Sequence, residues 1–260
     1  MKIASYETDL TDAQWTLLQR LLPAARRRGR PRTDLRPVLD ALFYLVKAGC
    51  PWRLLPRTGP PWKTTYHHFR QWCRNGLWAL VNTTLRTWAR KAADKRSRPT
   101  AAVLDSQTVR SNPHGGQVGH DAGKKTKGRK RFLLVDTLGW VLGVAVQPAH
   151  TPERAGAQAL LKPVLPHFTW LRKLGVDGGY TGEDFAARVR AQRPKLDVEV
   201  VKRSDDLSGF RVLPKRWVVE RTFAWLMQHR RLVRDYEQTE TSATGWIFIA
   251  MIRVMLRRVA

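Results

Sequence analysis

Cysteine, long apolar runs and acidic residues are all scarce in this chain, and each shortage excludes a class of protein. Only two cysteines occur, Cys50 and Cys73, without the short spacing of a metal knuckle, which argues against a disulfide scaffold and a zinc module. The N-terminal segment lacks the apolar core of a signal peptide. The longest apolar stretch, Trp246 to Ile252, has seven residues. A bilayer span needs roughly 20 residues. We therefore expect a cytoplasmic protein of a reducing compartment.

The shortage of acidic residues leaves the chain with a large positive charge. Its 260 residues include 47 Lys and Arg but only 21 Asp and Glu, a formal net charge of +26. The excess is spread along the chain, with 20 basic against 6 acidic residues in 1–98 and 27 against 15 in 99–260. A charge of this size favours a polyanionic partner, and nucleic acid in particular.

Two basic runs stand in glycine-containing sequence, which favours exposed strips over buried segments. The first run lies early in the chain and contains Arg26, Arg27, Arg28, Arg30 and Arg32. The second lies near the middle and contains Lys124, Lys125, Lys127, Arg129, Lys130 and Arg131. Either run alone is compatible with a solvated loop, but two of them on so basic a chain predict contact with DNA phosphates.

The first 98 residues predict an all-helical domain of four short helices. Apolar residues recur with helical period, and proline or glycine separates the segments 11–22, 34–48, 63–75 and 77–95. Thr11 and Gln14 have the spacing of a capping box. A polar segment at 95–99 is predicted to link this domain, residues 1–98, to a second domain, residues 99–260.

The third predicted helix carries side chains suited to DNA. As the recognition helix of a helix-turn-helix-like domain, it would present four polar residues to the double helix: Lys63, His67, Arg70 and Arg74. A plain helical bundle without nucleic-acid contacts is the alternative interpretation.

From residue 99 the pattern alternates between strands and helices, which predicts an α/β fold with a mixed sheet flanked by helices. Strands are predicted at 101–104, 173–176 and 198–201, and a hairpin at 132–146. Helices are predicted at 152–165, with Glu153 in the first turn, and at 182–192, 215–236 and 244–259.

Three carboxylates interrupt segments that are otherwise apolar. Asp105 is predicted to end the first strand, Asp177 to end a later one, and Glu220 to border the apolar stripe of a helix. Any one of them could simply pair with Lys or Arg. As a set they can converge, and hard oxygen ligands favour Mg²⁺ or Mn²⁺. Two such ions can activate water at a phosphodiester, so the sequence predicts phosphodiester chemistry on nucleic acid.

The order Asp105, Asp177, Glu220 on a strand, strand, helix framework resembles the DDE transposases of bacterial insertion sequences, which have a ribonuclease-H-like core. The chain is similar to insertion-sequence family five in five local strings: PWRLLP at 51–56, LDSQTV at 104–109, DAGKK at 121–125 running on through KGRKR at 127–131, DGGYTG at 177–182 and RWVVERTFAWL at 216–226. The resemblance covers essentially the whole chain.

The resemblance implies that Asp105, Asp177 and Glu220 hold two Mg²⁺ or Mn²⁺ ions. Arg216, four residues before Glu220, matches the Arg of the R-x-x-x-E element and is expected to orient the Glu or to touch DNA. Many related families also carry a Tyr three residues before that Arg and a Lys seven after the Glu. This chain has Leu213 and Met227 there, with Arg230 or Arg231 as candidate substitutes for the Lys.

The function implied is that of an insertion-sequence transposase acting on double-stranded DNA. It would bind the terminal inverted repeats, cleave at the element ends and transfer the freed 3′-OH to target DNA without a covalent protein–DNA intermediate. Because two ends must be joined, we expect a homodimer or higher assembly on DNA, associated with the nucleoid.

Two other functions fit part of the pattern. A non-enzymatic, sequence-specific DNA-binding regulator would share the helical N-terminus but would not nick DNA in a metal-dependent way. A stand-alone nuclease or resolvase on the same fold would cleave DNA but would not join the released 3′-OH to a target.

Overall fold

The computed structural model describes residues 6–24, 33–112, 115–200 and 217–260. The early basic run at 26–32, together with Leu213 and Arg216, lies outside these ranges.

Four helices form the N-terminal region, as predicted: α1 (Asp12–Gln19), α2 (Leu35–Ala48), α3 (Trp62–Arg74) and α4 (Leu77–Ala92). The capping box of α1 is confirmed, because the Thr11 hydroxyl accepts from the Gln14 N–H and the Gln14 side chain accepts from the Thr11 N–H. Gly49 ends α2 at a φ of 72°, in the left-handed region that glycine enters without strain.

A mixed six-stranded sheet forms the centre of the remaining chain. Its strands are β1 (Ala101–Arg110), β2 (Gly119–Asp121), β3 (Thr126–Asp136), β4 (Val141–Pro148), β5 (Lys173–Val176) and β6 (Asp197–Val200). Their order is β2-β3-β1-β5-β6, and β4 also pairs with β3. The β1–β3, β3–β4 and β2–β3 pairs are antiparallel, whereas β1–β5 and β5–β6 are parallel. This is a ribonuclease-H-like mixed sheet, as the sequence predicted.

Helices cover both faces of the sheet. The helices that follow the hairpin are α5 (Glu153–Val164), α6 (Glu183–Gln192), α7 (Trp217–Met227), α8 (Arg230–Val233) and α9 (Glu240–Val259). One hydrophobic core joins α5 and α6 to one face, and includes Leu104 and Phe132. A second core covers the other face and joins α7 and α9 to the N-terminal helices, through Val103 among others.

Two predictions about the extent of elements are wrong. Asp105 does not end β1, which runs on to Arg110 because its backbone stays paired with β3 as far as the Arg110–Gly128 pair. The single helix predicted for 215–236 is broken within the described part, where His229 adopts an extended backbone (φ −105°, ψ 109°) between α7 and α8. The three-residue strand β2 was not predicted.

The N-terminal helices pack directly on the second part of the chain. The Phe69 ring of α3 stacks on the Trp246 ring of α9 with centroids 4.5 Å apart. Arg90 of α4 forms a buried ion pair of 2.7 Å with Asp136 at the end of β3. The two parts therefore share one core on this face of the sheet.

None of the described helices is both long enough and apolar enough to cross a bilayer.

Candidate active site

Asp105 lies on β1, and Asp177 directly follows the neighbouring strand β5. The parallel strands β1 and β5 pair Ala102 with Leu174 and Val103 with Gly175. Continuing that register by two residues places Asp177, which directly follows β5, opposite Asp105. The sequence therefore correctly predicted that Asp177 follows a strand end, although Asp105 lies in the middle of its own strand.

The two carboxylates also share a face of the sheet. Asp105 lies two residues after Val103 and so points to the same side, toward the core that contains Val218 and Val219 of α7. The backbone at Asp177 is extended (φ −85°, ψ 179°), so its side chain points away from Val176, which packs in the opposite core. Both aspartates therefore face the side of the sheet on which α7 packs.

Glu220 lies in the first turn of α7, on an exposed part of that helix. The buried residues Val218, Val219 and Phe223 attach α7 to the sheet on the face of the two aspartates. Within the described ranges, however, no three His, Cys, Asp or Glu side chains lie close enough together to hold a metal ion. The two aspartates thus lie opposite each other, and Glu220 lies on the helix that covers their face of the sheet. The three side chains do not, however, form one group of metal ligands.

Backbone N–H groups orient both aspartates. The Ser106 N–H donates a hydrogen bond of 2.6 Å to Asp105 Oδ1. The Gly179 N–H donates one of 3.0 Å to Asp177 Oδ1, at the start of a short 3-10 turn over Gly178–Tyr180.

A fourth carboxylate, which the sequence pattern did not assign to the site, lies beside these two. Glu153, in the first turn of α5, accepts a hydrogen bond of 3.1 Å from the Ser106 hydroxyl. Tyr180 is 1% exposed, and burial raises its pKa, as do the charges of Asp105, Glu153 and Asp177. The only sequence signal for Glu153 was an acidic residue in a first helical turn, which is an ordinary way to stabilise a helix.

The second basic run is only partly exposed, so the prediction of one exposed strip is wrong for half of it. Lys124 and Lys125, which precede β3, and Lys127, its second residue, are exposed. Three further residues belong to β3 itself, between β1 and β4, and are at most 6% exposed: Arg129, Lys130 and Arg131.

The buried basic residues of β3 bind other parts of the chain. Arg129 forms an ion pair of 3.5 Å with Asp235, and the Lys130 ammonium donates to the Thr151 carbonyl at 3.1 Å. Arg131 donates to the Leu232 carbonyl at 2.7 Å, and burial lowers its pKa to about 10. These three side chains are therefore internal contacts rather than phosphate ligands.

The polar face of α3 is exposed as predicted. Four of its side chains lie at the surface: Lys63, His67, Arg70 and Arg74. Arg70 and Arg74 border a groove of about 740 Å³ that also contains the rings of Trp62 and Tyr66. Cationic and aromatic side chains together are the usual lining of a nucleic-acid surface.

Arg230 and Arg231, the two candidates to replace the Lys that is missing at Met227, differ in exposure. Arg230 is exposed, whereas Arg231 is 7% exposed, pairs with Glu237 at 2.7 Å and stacks over the Trp246 ring at 4.5 Å. Arg231 is thus engaged within the fold, which contradicts its suggested role as a substitute for the Lys.

Comparison with known proteins gives two family matches. A family model described as a transposase DDE domain matches residues 96–255. A model for transposases of the IS4/5 family matches residues 10–82.

Individual relatives come from bacteria. The chain is 31% identical over 120 residues to a 16.2 kDa protein of insertion element IS402 from Burkholderia cepacia, an alignment that covers 42% of this chain and 78% of that protein. It is 28% identical over 106 residues to protein y4sN of Sinorhizobium fredii, covering 40% of this chain and 78% of that protein. No solved structure matches the chain significantly.

Proposed function

We propose, from the premise that this chain belongs to the DDE transposases of the IS4/5 type, that Asp105, Asp177 and Glu220 are its catalytic carboxylates. Membership of the family rests on the match over 96–255 and makes the chain a transposase that acts on DNA. The single observation that carries the site assignment is the parallel β1–β5 register, which, continued two residues past the Val103–Gly175 pair, sets Asp177 opposite Asp105 on the face covered by α7.

The donor set fits divalent cations, which transposases of this family use. Carboxylate oxygens are the ligands that Mg²⁺ and Mn²⁺ prefer. We propose that Asp105, Asp177 and Glu220 hold two such ions. Bound there, the ions would supply an activated water and stabilise the leaving oxygen of a phosphodiester.

The roles of the protein groups follow from their contacts. The N–H groups of Ser106 and Gly179 fix the orientation of the two aspartates, so the carboxylates need little reorganisation when cations and DNA bind. Because the carboxylates serve as ligands and not as nucleophiles, hydrolysis at the element end and attack by the freed 3′-OH on target DNA need no covalent protein–DNA intermediate. We also propose that Arg216 orients Glu220 or touches DNA; it lies outside the described residues.

Two surfaces are proposed to hold the DNA. The exposed face of α3, with Lys63, His67, Arg70 and Arg74, would contact the terminal repeats, and residues 1–98 would form the DNA-reading domain. The exposed lysines near β3, Lys124, Lys125 and Lys127, would bind phosphates beside the catalytic domain, residues 99–260. Joining two element ends requires two active sites, so we propose a homodimer or larger assembly on DNA in the nucleoid.

The test is metal-dependent cleavage and joining of DNA that carries the terminal repeats of the element. Asp105→Asn, Asp177→Asn and Glu220→Gln keep the size of each side chain but remove its charge. We expect each to abolish cleavage and joining while leaving binding of the repeats intact. Asp184→Asn, which changes an exposed acid of α6 paired with Arg188, is the matched control and should retain activity. Full activity in any of the three site variants would refute the assignment.

A further inference from the structure

Glu153 lies where the two aspartate-bearing segments approach each other, and it contacts both of them. Its Oε1 accepts from the Ser106 hydroxyl at 3.1 Å. On the other side, a Cβ added at Gly179 would collide with Glu153 Oε2 and would lie 3.2 Å from Asp177 Oδ1. One carboxylate from α5 is therefore packed against the residue that follows Asp105 and the glycine that caps Asp177.

The two residues that Glu153 contacts also donate hydrogen bonds to the two aspartates. The Ser106 N–H binds Asp105 and the Gly179 N–H binds Asp177. Ser106 lies on the opposite face of β1 from Asp105, because successive side chains of a strand alternate. Glu153 thus lies behind the two aspartates and contacts the residues whose backbone N–H groups orient them.

A buried hydroxyl group lies at the same place. Tyr180 follows Gly179, its ring packs 5.6 Å from the Phe185 ring, and its side chain is 1% exposed. Its hydroxyl lies close to the Ser106 side chain, and hydrogen bonding to Ser106 lowers the pKa of Tyr180 against the larger effect of burial. The Ser106 side chain therefore lies between Tyr180 and Glu153, and the three polar groups form a layer behind the two aspartates.

We propose that Glu153 is a positioning residue of the active site, which fixes the relative placement of Asp105 and Asp177 through Ser106 and Gly179. The inference rests on the proposed function, since it needs those aspartates to be the cation ligands. It assigns Glu153 no direct contact with a cation. Partners that orient metal ligands typically change metal affinity by about 10–100-fold when they are removed.

The experiment measures Mn²⁺ binding by the full chain without DNA, from the decrease of the free-ion signal in electron paramagnetic resonance. Glu153→Ala removes the acceptor of the Ser106 hydroxyl and should weaken binding about tenfold or more. Glu153→Gln keeps a side-chain oxygen that can accept the same bond, so it should retain most of the affinity. Thermal unfolding of each variant separates a weaker affinity from a damaged fold.

Two neighbouring glycines give a matched pair of variants. Gly179→Ala should displace the flexible Glu153 side chain and weaken binding as Glu153→Ala does, whereas Gly178→Ala meets nothing within 4 Å and should bind like the wild type. The added Cβ of Gly179→Ala also lies 3.2 Å from Asp177 Oδ1, so part of its effect can come from Asp177 directly, and the Glu153 variants decide the proposal.

The remaining outcomes are distinguishable. Wild-type affinity in Glu153→Ala, with binding abolished in Asp105→Asn and Asp177→Asn, would overturn this inference and leave the proposed active site intact. Wild-type affinity in the two aspartate variants would overturn the active site itself. Equal losses in Glu153→Gln and Glu153→Ala would show that the charge of Glu153 matters rather than its hydrogen bond, and would refute the positioning role.

Discussion

The ion pair between Arg90 and Asp136 should contribute strongly to the stability of the whole chain. Asp136 is 0% exposed, and its Oδ2 accepts from the Arg90 guanidinium at 2.7 Å. Its Oδ1 accepts from the backbone N–H groups of Leu138 and Trp140 at 2.8 and 3.0 Å. Replacing Arg90 by Met would keep most of the volume and leave a buried carboxylate without its cation.

The size of the effect follows from what remains around Asp136. Removing one partner of a buried pair costs about 3–5 kcal/mol. The two backbone donors persist, and Arg86 lies near enough for Asp136 to act on its pKa, so we expect about 3 kcal/mol, at the low end of that range. The assay is urea unfolding of the wild type and Arg90→Met.

The exposed pair Arg188–Asp184 supplies the control for this prediction. Its side chains are 65% and 72% exposed, so Arg188→Met should cost less than about 1 kcal/mol. An Arg90→Met effect no larger than that of Arg188→Met would refute the reasoning, because it would mean that Asp136 is compensated without Arg90.

Two further predictions concern salt and pH. Changing the exposed lysines near β3 (Lys124, Lys125 and Lys127) to Gln should reduce the slope of log binding constant against log salt by about 0.9 for each phosphate that is no longer neutralised. Fluorescence anisotropy with duplex DNA measures this slope, and an unchanged slope would contradict their role. Burial lowers the pKa of His229 from 6.5 to about 4, so the folded protein binds the proton less readily than the unfolded chain. The stability advantage of neutral His229 is therefore complete above pH 6.5 and is lost as the pH falls toward 4. Urea titrations of the wild type and His229→Gln measure this effect. The unfolding free energy of the wild type relative to the variant should decrease as the pH falls through this range. A constant difference would show that His229 does not titrate as described.

The sequence predicted correctly that Asp177 follows a strand end, but it placed Asp105 at a strand end wrongly. The two strands differ in the residues that follow their apolar runs. Asp177 follows an apolar run and precedes Gly178 and Gly179, so its position at a strand end could be predicted. After Leu104 the residues of β1 become polar, which suggested that the strand ends at Asp105. The backbone remains paired with β3 as far as Arg110, and only the tertiary partner reveals this.

The number of basic residues in a run does not show which side chains are free to bind a partner and which are buried in the fold. Arg129 and Arg131 stand in the same basic run as Lys124 and Lys125, yet β3 lies between two strands and buries them. Their partners are distant in the chain: Arg129 pairs with Asp235, and the carbonyl that Arg131 binds lies 101 positions away. Part of the positive charge that indicated a nucleic-acid partner therefore stabilises the fold.

The role of Glu153 could not be predicted either, for a related reason. In the sequence it is an acidic residue in a first helical turn, where the helix dipole alone accounts for it. Its contact with Ser106 spans 47 positions and depends on how α5 packs against β1. Local patterns identify the type of element, but such long-range contacts require the fold.

The central claim is that Asp105 and Asp177 share a cation site with Glu220, and metal-directed cleavage of the protein itself tests it most directly. With Fe²⁺ bound in place of the natural ion, ascorbate and peroxide generate radicals that cut the backbone near the iron, and mass spectrometry locates the cuts. We predict cuts near residues 105, 177 and 220 that excess Mg²⁺ suppresses and that disappear in Asp105→Asn. Cuts elsewhere in the chain, or the same cuts in Asp105→Asn, would contradict the claim.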